Sequence, residues 1–175
     1  MSRFQLFASP WWVNLLLFIP VLAYFLTGKG KNGVGRRRLF QAAIFGIAFG
    51  FVEAAVVVYL RAATGLLPGP QAKVVAAIPA SLLRIECFRE AATMVMLFGV
   101  AWLVGQRIKE KLVVFLWTFA LWDLFYYVWL RVTIGWPASL LDVDVLFLIP
   151  VMWVAQVWFP MLVSGATAAV IWLRS

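Results

Sequence analysis

Pro79-Ala80-Ser81-Leu82-Leu83-Arg84-Ile85-Glu86 recurs as Pro137-Ala138-Ser139-Leu140-Leu141-Asp142-Val143-Asp144, and each copy leads into a long apolar run. Upstream, Phe45, Phe49, Glu53, Val58, Leu60, Arg61 and Gly65 align at one constant offset with Phe115, Phe119, Asp123, Val128, Leu130, Arg131 and Gly135. Self-similarity at a fixed offset marks a duplicated unit and sets the frame in which single elements are read. It predicts two tandem helical hairpins, at about 39–105 and 112–173, after one unpaired span at about 11–27.

The runs around the repeat are long and apolar. The chain has 175 residues, of which 65% are hydrophobic, against roughly 45–50% in a soluble domain, and its mean hydropathy is +0.98. A spanning helix needs about 20 mostly apolar residues. Five such spans are predicted: Trp11 to Thr27, Leu39 to Arg61, Ser81 to Gly105, Leu112 to Arg131 and Leu146 to Leu173. Little chain remains for a soluble domain, so residues 1–175 read as one membrane domain. The every-second-residue alternation of a barrel strand is missing from these runs, which makes the predicted class an all-α integral membrane protein. The first span is expected to stay in the protein: its flank carries only Arg3, and no small-residue cleavage site precedes the basic stretch that follows.

Charge placement gives orientation. The net charge is +8, but the basic residues are segregated rather than spread over a nucleic-acid-binding face. Lys29, Lys31, Arg36, Arg37 and Arg38 lie between spans one and two, Arg107, Lys109 and Lys111 between three and four, and Arg174 after span five. These nine, offset by Glu110 alone, leave 9 − 1 = +8 on one side. On the other side Arg3, Arg61, Lys73, Arg84, Arg89 and Arg131 balance Glu53, Glu86, Glu90, Asp123, Asp142 and Asp144. The positive-inside rule then predicts the cytoplasmic (inner) membrane, with the N-terminus outside and the C-terminus in the cytoplasm. Since both hairpins run in, out, in, they are predicted to be parallel repeats related by an axis along the membrane normal.

Several chemistries lack their residues. One cysteine, Cys87, and no histidine leave no disulfide, thiolate zinc site or histidine-ligated haem. A serine nucleophile would want for a histidine base. No catalytic residue, metal or cofactor is therefore assigned. Each Pro-Ala-Ser is expected to start a helix with its serine as cap, with Ser139 and Asp142 resembling a capping box. Ser9-Pro10 is expected to start span one. Pro150 and Pro160 are expected to kink span five around Gln156. Residues 66–78, inserted only in the first copy, carry Pro68-Gly69-Pro70 and read as a turn-rich excursion. Trp129 and Trp136 are expected to anchor the outer interface, and Trp102 and Trp172 the inner one.

Charges inside the spans carry the functional expectations, because an ionisable residue at membrane depth is costly and faces protein or water. Glu53 and Asp123 sit at equivalent places, eight residues before Arg61 and Arg131, about 12 Å below the helix end. Ala42, Gly46, Gly50 and Ala54 form a small-residue stripe that permits close helix approach, with Glu53 beside it. Glu86 and Glu90 stack on one face of span three with Arg89 adjacent. The predicted cluster is Glu53, Glu86, Glu90, Asp123, Arg84 and Arg89, with Arg61, Arg131, Asp142, Asp144, Tyr126 and Tyr127 at the outer rim and Arg61 and Arg131 snorkelling outward. Such a cluster serves either as an ion-pair lattice docking the hairpins or as a titrating pocket. The leading expectation is a non-enzymatic accessory or scaffold subunit that partners the lipid bilayer and other membrane subunits or further copies of itself. The alternatives are a proton- or cation-coupled transporter and an anionic-lipid or quinone-binding protein or enzyme.

Overall fold

The computed structural model describes residues 5–27, 33–65, 67 and 79–175. Arg3, Lys29, Lys31, Lys73 and, apart from Leu67, the 66–78 insert lie outside the described residues. A 3-10 helix (Trp11–Phe18) runs directly into α1 (Ile19–Leu26). After it come α2 (Arg36–Ala63), α3 (Ala80–Val104), α4 (Ile108–Ile134), strands β1 (Val143–Phe147) and β2 (Trp153–Gln156), and α5 (Trp158–Arg174). Among the described residues three helices, α2, α3 and α4, are long and apolar enough to cross a membrane. Their outward surface is apolar as well, with Leu103, Phe88, Val95 and Tyr59 at least 70% exposed, as expected of helices that are hydrophobic all round.

The helices end where the repeat predicts equivalence. Gly65 closes α2 at φ +67 and Gly135 closes α4 at φ +70, the left-handed conformation that glycine adopts without a Cβ penalty. At Gly135 the Arg131 guanidinium adds bonds to the carbonyls of Gly135 (2.6 Å) and Pro137 (2.9 Å). α4 is the central helix and packs against α1, α2, α3 and α5. Its tightest seam is with α2, along Ala42, Gly46, Gly50 and Ala54, all buried. A Cβ at Gly50 would lie 2.8 Å from Trp122 O, and one at Gly46 would lie 3.0 Å from Thr118 O. Two tryptophans of α4 bond across the same seam, Trp117 Nε1 to Leu39 O (2.8 Å) and Trp129 Nε1 to Ile47 O (3.1 Å).

Arg36, Arg38, Lys111 and Arg174 gather at one end of the bundle. Arg38 at the start of α2 pairs with Glu110 at the start of α4 (2.9 Å). Arg36 lies over Trp172 near the end of α5, and Lys111 lies over Trp102 near the end of α3. Arg174 donates to Thr27 O just past α1 (2.9 Å). Gly65, Pro79 and Gly135 mark the opposite end.

Span five departs most from the sequence expectation. The apolar run at 146–173 is not one kinked helix: its first part completes β1 and forms β2, an antiparallel hairpin with a register shift between Val145 and Phe147. The class is therefore largely helical with a two-stranded insertion, and the second repeat copy leads into a strand where the first leads into α3. β-branched and aromatic residues favour the pleated form here, with Pro150 at the tip between the strands. Pro160 falls in the first turn of α5, where the missing N–H costs nothing, so neither proline kinks a helix. Ser81 makes no capping bond at α3. Ser139 and Asp142 do make reciprocal bonds like those of a capping box, Leu141 N to Ser139 Oγ (3.1 Å) and Ser139 N to Asp142 Oδ2 (3.2 Å), but around a turn that leads into β1 and not into a helix. Ser9 forms a bridge to Val154, and the side chain of Asn14 ties down the turn before the 3-10 helix through Ala8 and Trp11.

The hairpin plunges into the bundle instead of lying on its end. Tyr127 bonds Asp144 near the base of β1 (3.0 Å). Phe147 stacks on Phe119, with ring centroids 6.5 Å apart, and Phe119 is eight residues, about 12 Å, further down α4. β2 pairs with β1 on one side, and on the other Ser9 exchanges backbone bonds with Val154 at 2.8 and 2.7 Å.

Candidate functional site

A cavity of about 370 Å³ lies between α2, α3, α4, the hairpin and α5. Most of its wall is apolar, including Phe119, Trp122, Phe147 and Trp153. Into this wall project Glu53 from α2, Glu86 and Glu90 from α3, Asp123 from α4 and Asp144 from β1, with Arg89 as the cation among them. Glu53, Glu86 and Glu90 are 7–8% exposed and Asp144 is fully buried.

Each acid bonds to a donor, and the bonds link elements. Arg89 pairs with Glu53 across α2 and α3, and with Glu86 one turn before it (Nε 2.9 Å, Nη2 2.8 Å). The Thr93 hydroxyl adds a second donor to Glu53 (3.2 Å). Glu90 accepts from the Leu148 amide at the hairpin tip (2.8 Å), joining α3 to the hairpin. Asp123 accepts from the Ser164 hydroxyl (2.7 Å), joining α4 to α5. Asp144 accepts from Tyr127, joining β1 to α4. Unpaired buried charge is expensive, so these bonds fix where the hairpin and helices sit around the cavity. A carboxylate offers about four lone-pair positions. The main-chain donors Leu148 and Ile149 at Glu90 and the Ser164 hydroxyl at Asp123 therefore leave acceptor capacity for a proton, a cation or a ligand N–H or O–H.

Of the predicted cluster, the fold brings Glu53, Glu86, Arg89, Glu90 and Asp123 to one cavity, joined by Tyr126, Tyr127 and Asp144 from the predicted rim. Asp123 does not pair with arginine; its bond is to Ser164. Arg84 is exposed on α3 and does not line the cavity. Arg61 does not snorkel outward. It is fully buried, with its guanidinium 4.1 Å from the ring centroid of Trp136, in cation–π geometry. Trp136, expected as an interface anchor, is buried there among Ala54, Val57, Tyr127 and Leu130. Arg131 and Asp142 do remain peripheral, Arg131 on the α4 terminus and Asp142 accepting from Ala138 N (2.7 Å) and Ser139 N (3.2 Å). Gln156 meets Gln5 N and Trp158 Nε1 beside the hairpin base.

Thr93, Ser164 and the Leu148 amide are site groups that sequence reasoning missed. Thr93 was within reach, since it lies three residues beyond Glu90 on the same helical face. Ser164 carries no signal without the register of α5, and a main-chain donor shows only once the hairpin is known. Among the described residues no group of three or more His, Cys, Asp or Glu is placed to hold a metal. Comparison with protein-family models, curated proteins and solved structures finds no match to this chain.

Proposed function

We propose that this chain is an integral membrane transporter, coupled to protons or small cations, whose substrate cavity is the one walled by Glu53, Glu86, Glu90, Asp123 and Asp144. The observation that carries the reading is five carboxylates from four elements lining one apolar cavity with a single arginine in its wall. A volume near 370 Å³ suits a small solute. The aromatic faces of Phe119, Trp122 and Phe147 favour one bearing positive charge. Non-helical backbone at membrane depth is tolerated where it lines a cavity, and Asp144 to Ile149 and Trp153 line this one.

Five crossings fit this reading. Eight 3-10 residues followed by eight α-helical ones extend about 28 Å, close to a hydrocarbon core of about 30 Å. The 17 residues of α5 reach about 25 Å. With the basic end cytoplasmic, the cavity lies in the outer half of an inner membrane and the N-terminus is outside.

Proteoliposomes loaded with a pH-reporting dye and energised by a potassium gradient with valinomycin test the proposal. Proton influx is expected above that of protein-free liposomes, and Glu90→Gln and Asp123→Asn should each lower it at least tenfold while circular dichroism and elution stay unchanged. Wild-type influx in both variants, or none in the native chain, sinks the transport reading. The Glu53–Arg89–Glu86 bridge favours a second reading, the accessory subunit, in which the charges only fix docking. That reading requires unlike subunits to co-purify after mild detergent extraction, and a chain that runs alone or with copies of itself rules it out.

A further inference from the structure

The basic end of the bundle holds a second cavity, of about 420 Å³, between the end of α1, the start of α4 and the end of α5. Leu26 and Val113 give it apolar lining with Phe25 at its edge, and Arg107, Lys109 and Arg174 line it as cations. Arg174 is held in place by its bond to Thr27 O (2.9 Å) and by stacking over Tyr24 (3.8 Å). The start of α4 is electrostatically unusual. A helix N-terminus is a positive pole that favours acids, yet Arg107, Lys109 and Lys111 all sit there, and no side chain caps it. Its one first-turn acid, Glu110, is already engaged by Arg38 (2.9 Å) and Gln106 N (3.1 Å). In the wall Arg107, Lys109 and Arg174 outnumber the one acidic side chain described there, Glu110, which also attracts Arg107, and exposed Phe25 lies beside them: an anion with an apolar tail suits that combination.

We propose that this cavity binds the phosphate of an anionic phospholipid from the leaflet at the basic end, with Arg107, Lys109 and Arg174 on the headgroup and Phe25 and Leu26 along the first acyl carbons. The proposal is independent of the transport reading. Native mass spectrometry of the full chain, equilibrated with equal phosphatidylglycerol and phosphatidylcholine, is expected to show phosphatidylglycerol retained. Lys109→Gln should weaken retention about fivefold, and Arg107→Gln with Lys109→Gln about thirtyfold, at roughly the contribution of one basic residue each near a membrane surface. Lys109→Arg should bind as the native chain does and serves as the folding reference. Arg37→Gln, which removes a charge at the same end but outside the cavity, should change nothing. Equal retention of the two lipids, or an Arg37→Gln effect as large as that of Lys109→Gln, overturns the site. Displacement of the lipid by equimolar inorganic phosphate assigns the cavity to free phosphate and overturns the lipid assignment.

Discussion

Gly50→Ala adds one methyl group at the place where α2 and α4 come closest. The new Cβ would lie 2.8 Å from Trp122 O, 3.1 Å from Tyr126 N and 3.2 Å from Phe125 Cβ. Two of these atoms are main chain in the middle of α4, so no rotamer change relieves the overlap. Restoring ordinary contact from 3.4 Å outward moves α2 away by about 3.4 − 2.8 = 0.6 Å, and overpacking of this kind costs about 1–3 kcal/mol. The shift also reaches Glu53, one turn along, and loosens its pairing with Arg89. Gly99→Ala is the matched control: nothing lies within 4 Å of its Cβ position, and alanine inside a helix gains about 0.5–1 kcal/mol over glycine. Reversible unfolding in mixed micelles, titrated with dodecyl sulfate and followed by circular dichroism, should move the midpoint in opposite directions for the two variants. A Gly50→Ala midpoint at or above the native one would refute the close seam.

Arg89→Met leaves Glu53 and Glu86 buried without their shared cation and should cost about 3–5 kcal/mol in the same assay. Adding Glu53→Gln to it should restore at least about 1 kcal/mol, whereas strictly additive losses would show that the bridge carries no coupling. Ser164→Ala removes the donor to Asp123 and should lower stability by about 1–3 kcal/mol. The loss should vanish in an Asp123→Ala background, and an equal loss there would mean that Ser164 acts through packing alone.

Much of the site was legible because helical periodicity projects sequence spacing directly onto faces. Gly46, Gly50 and Glu53 fall on adjoining surfaces of α2, and Glu86, Arg89 and Glu90 cluster on α3, whatever the rest of the chain does. The hairpin was hidden because hydropathy measures burial and not conformation: Leu146, Phe147, Trp153 and Val154 are as apolar in a strand as in a spanning helix. Its signals were local and easily outweighed, chiefly the Val143-Asp144-Val145 alternation and Pro150. The inward turn of Arg61 was illegible for a different reason. It depends on Trp136 arriving from beyond Gly135, a long-range meeting that no local pattern encodes.

Ser9 zipped onto Val154, Trp158 bonded to Gln5 O (3.2 Å) and Arg174 bonded to Thr27 O join the two extremities of the chain. During synthesis the first helix is made long before its partners exist and has to wait in the bilayer with those contacts unmade. The bundle therefore closes only once α5 has been made, because Trp158 and Arg174 supply two of these three links. Substitutions at Gln5, Ser9 or Thr27 should thus act late, by weakening the docking of α5 and β2 and not the helices themselves.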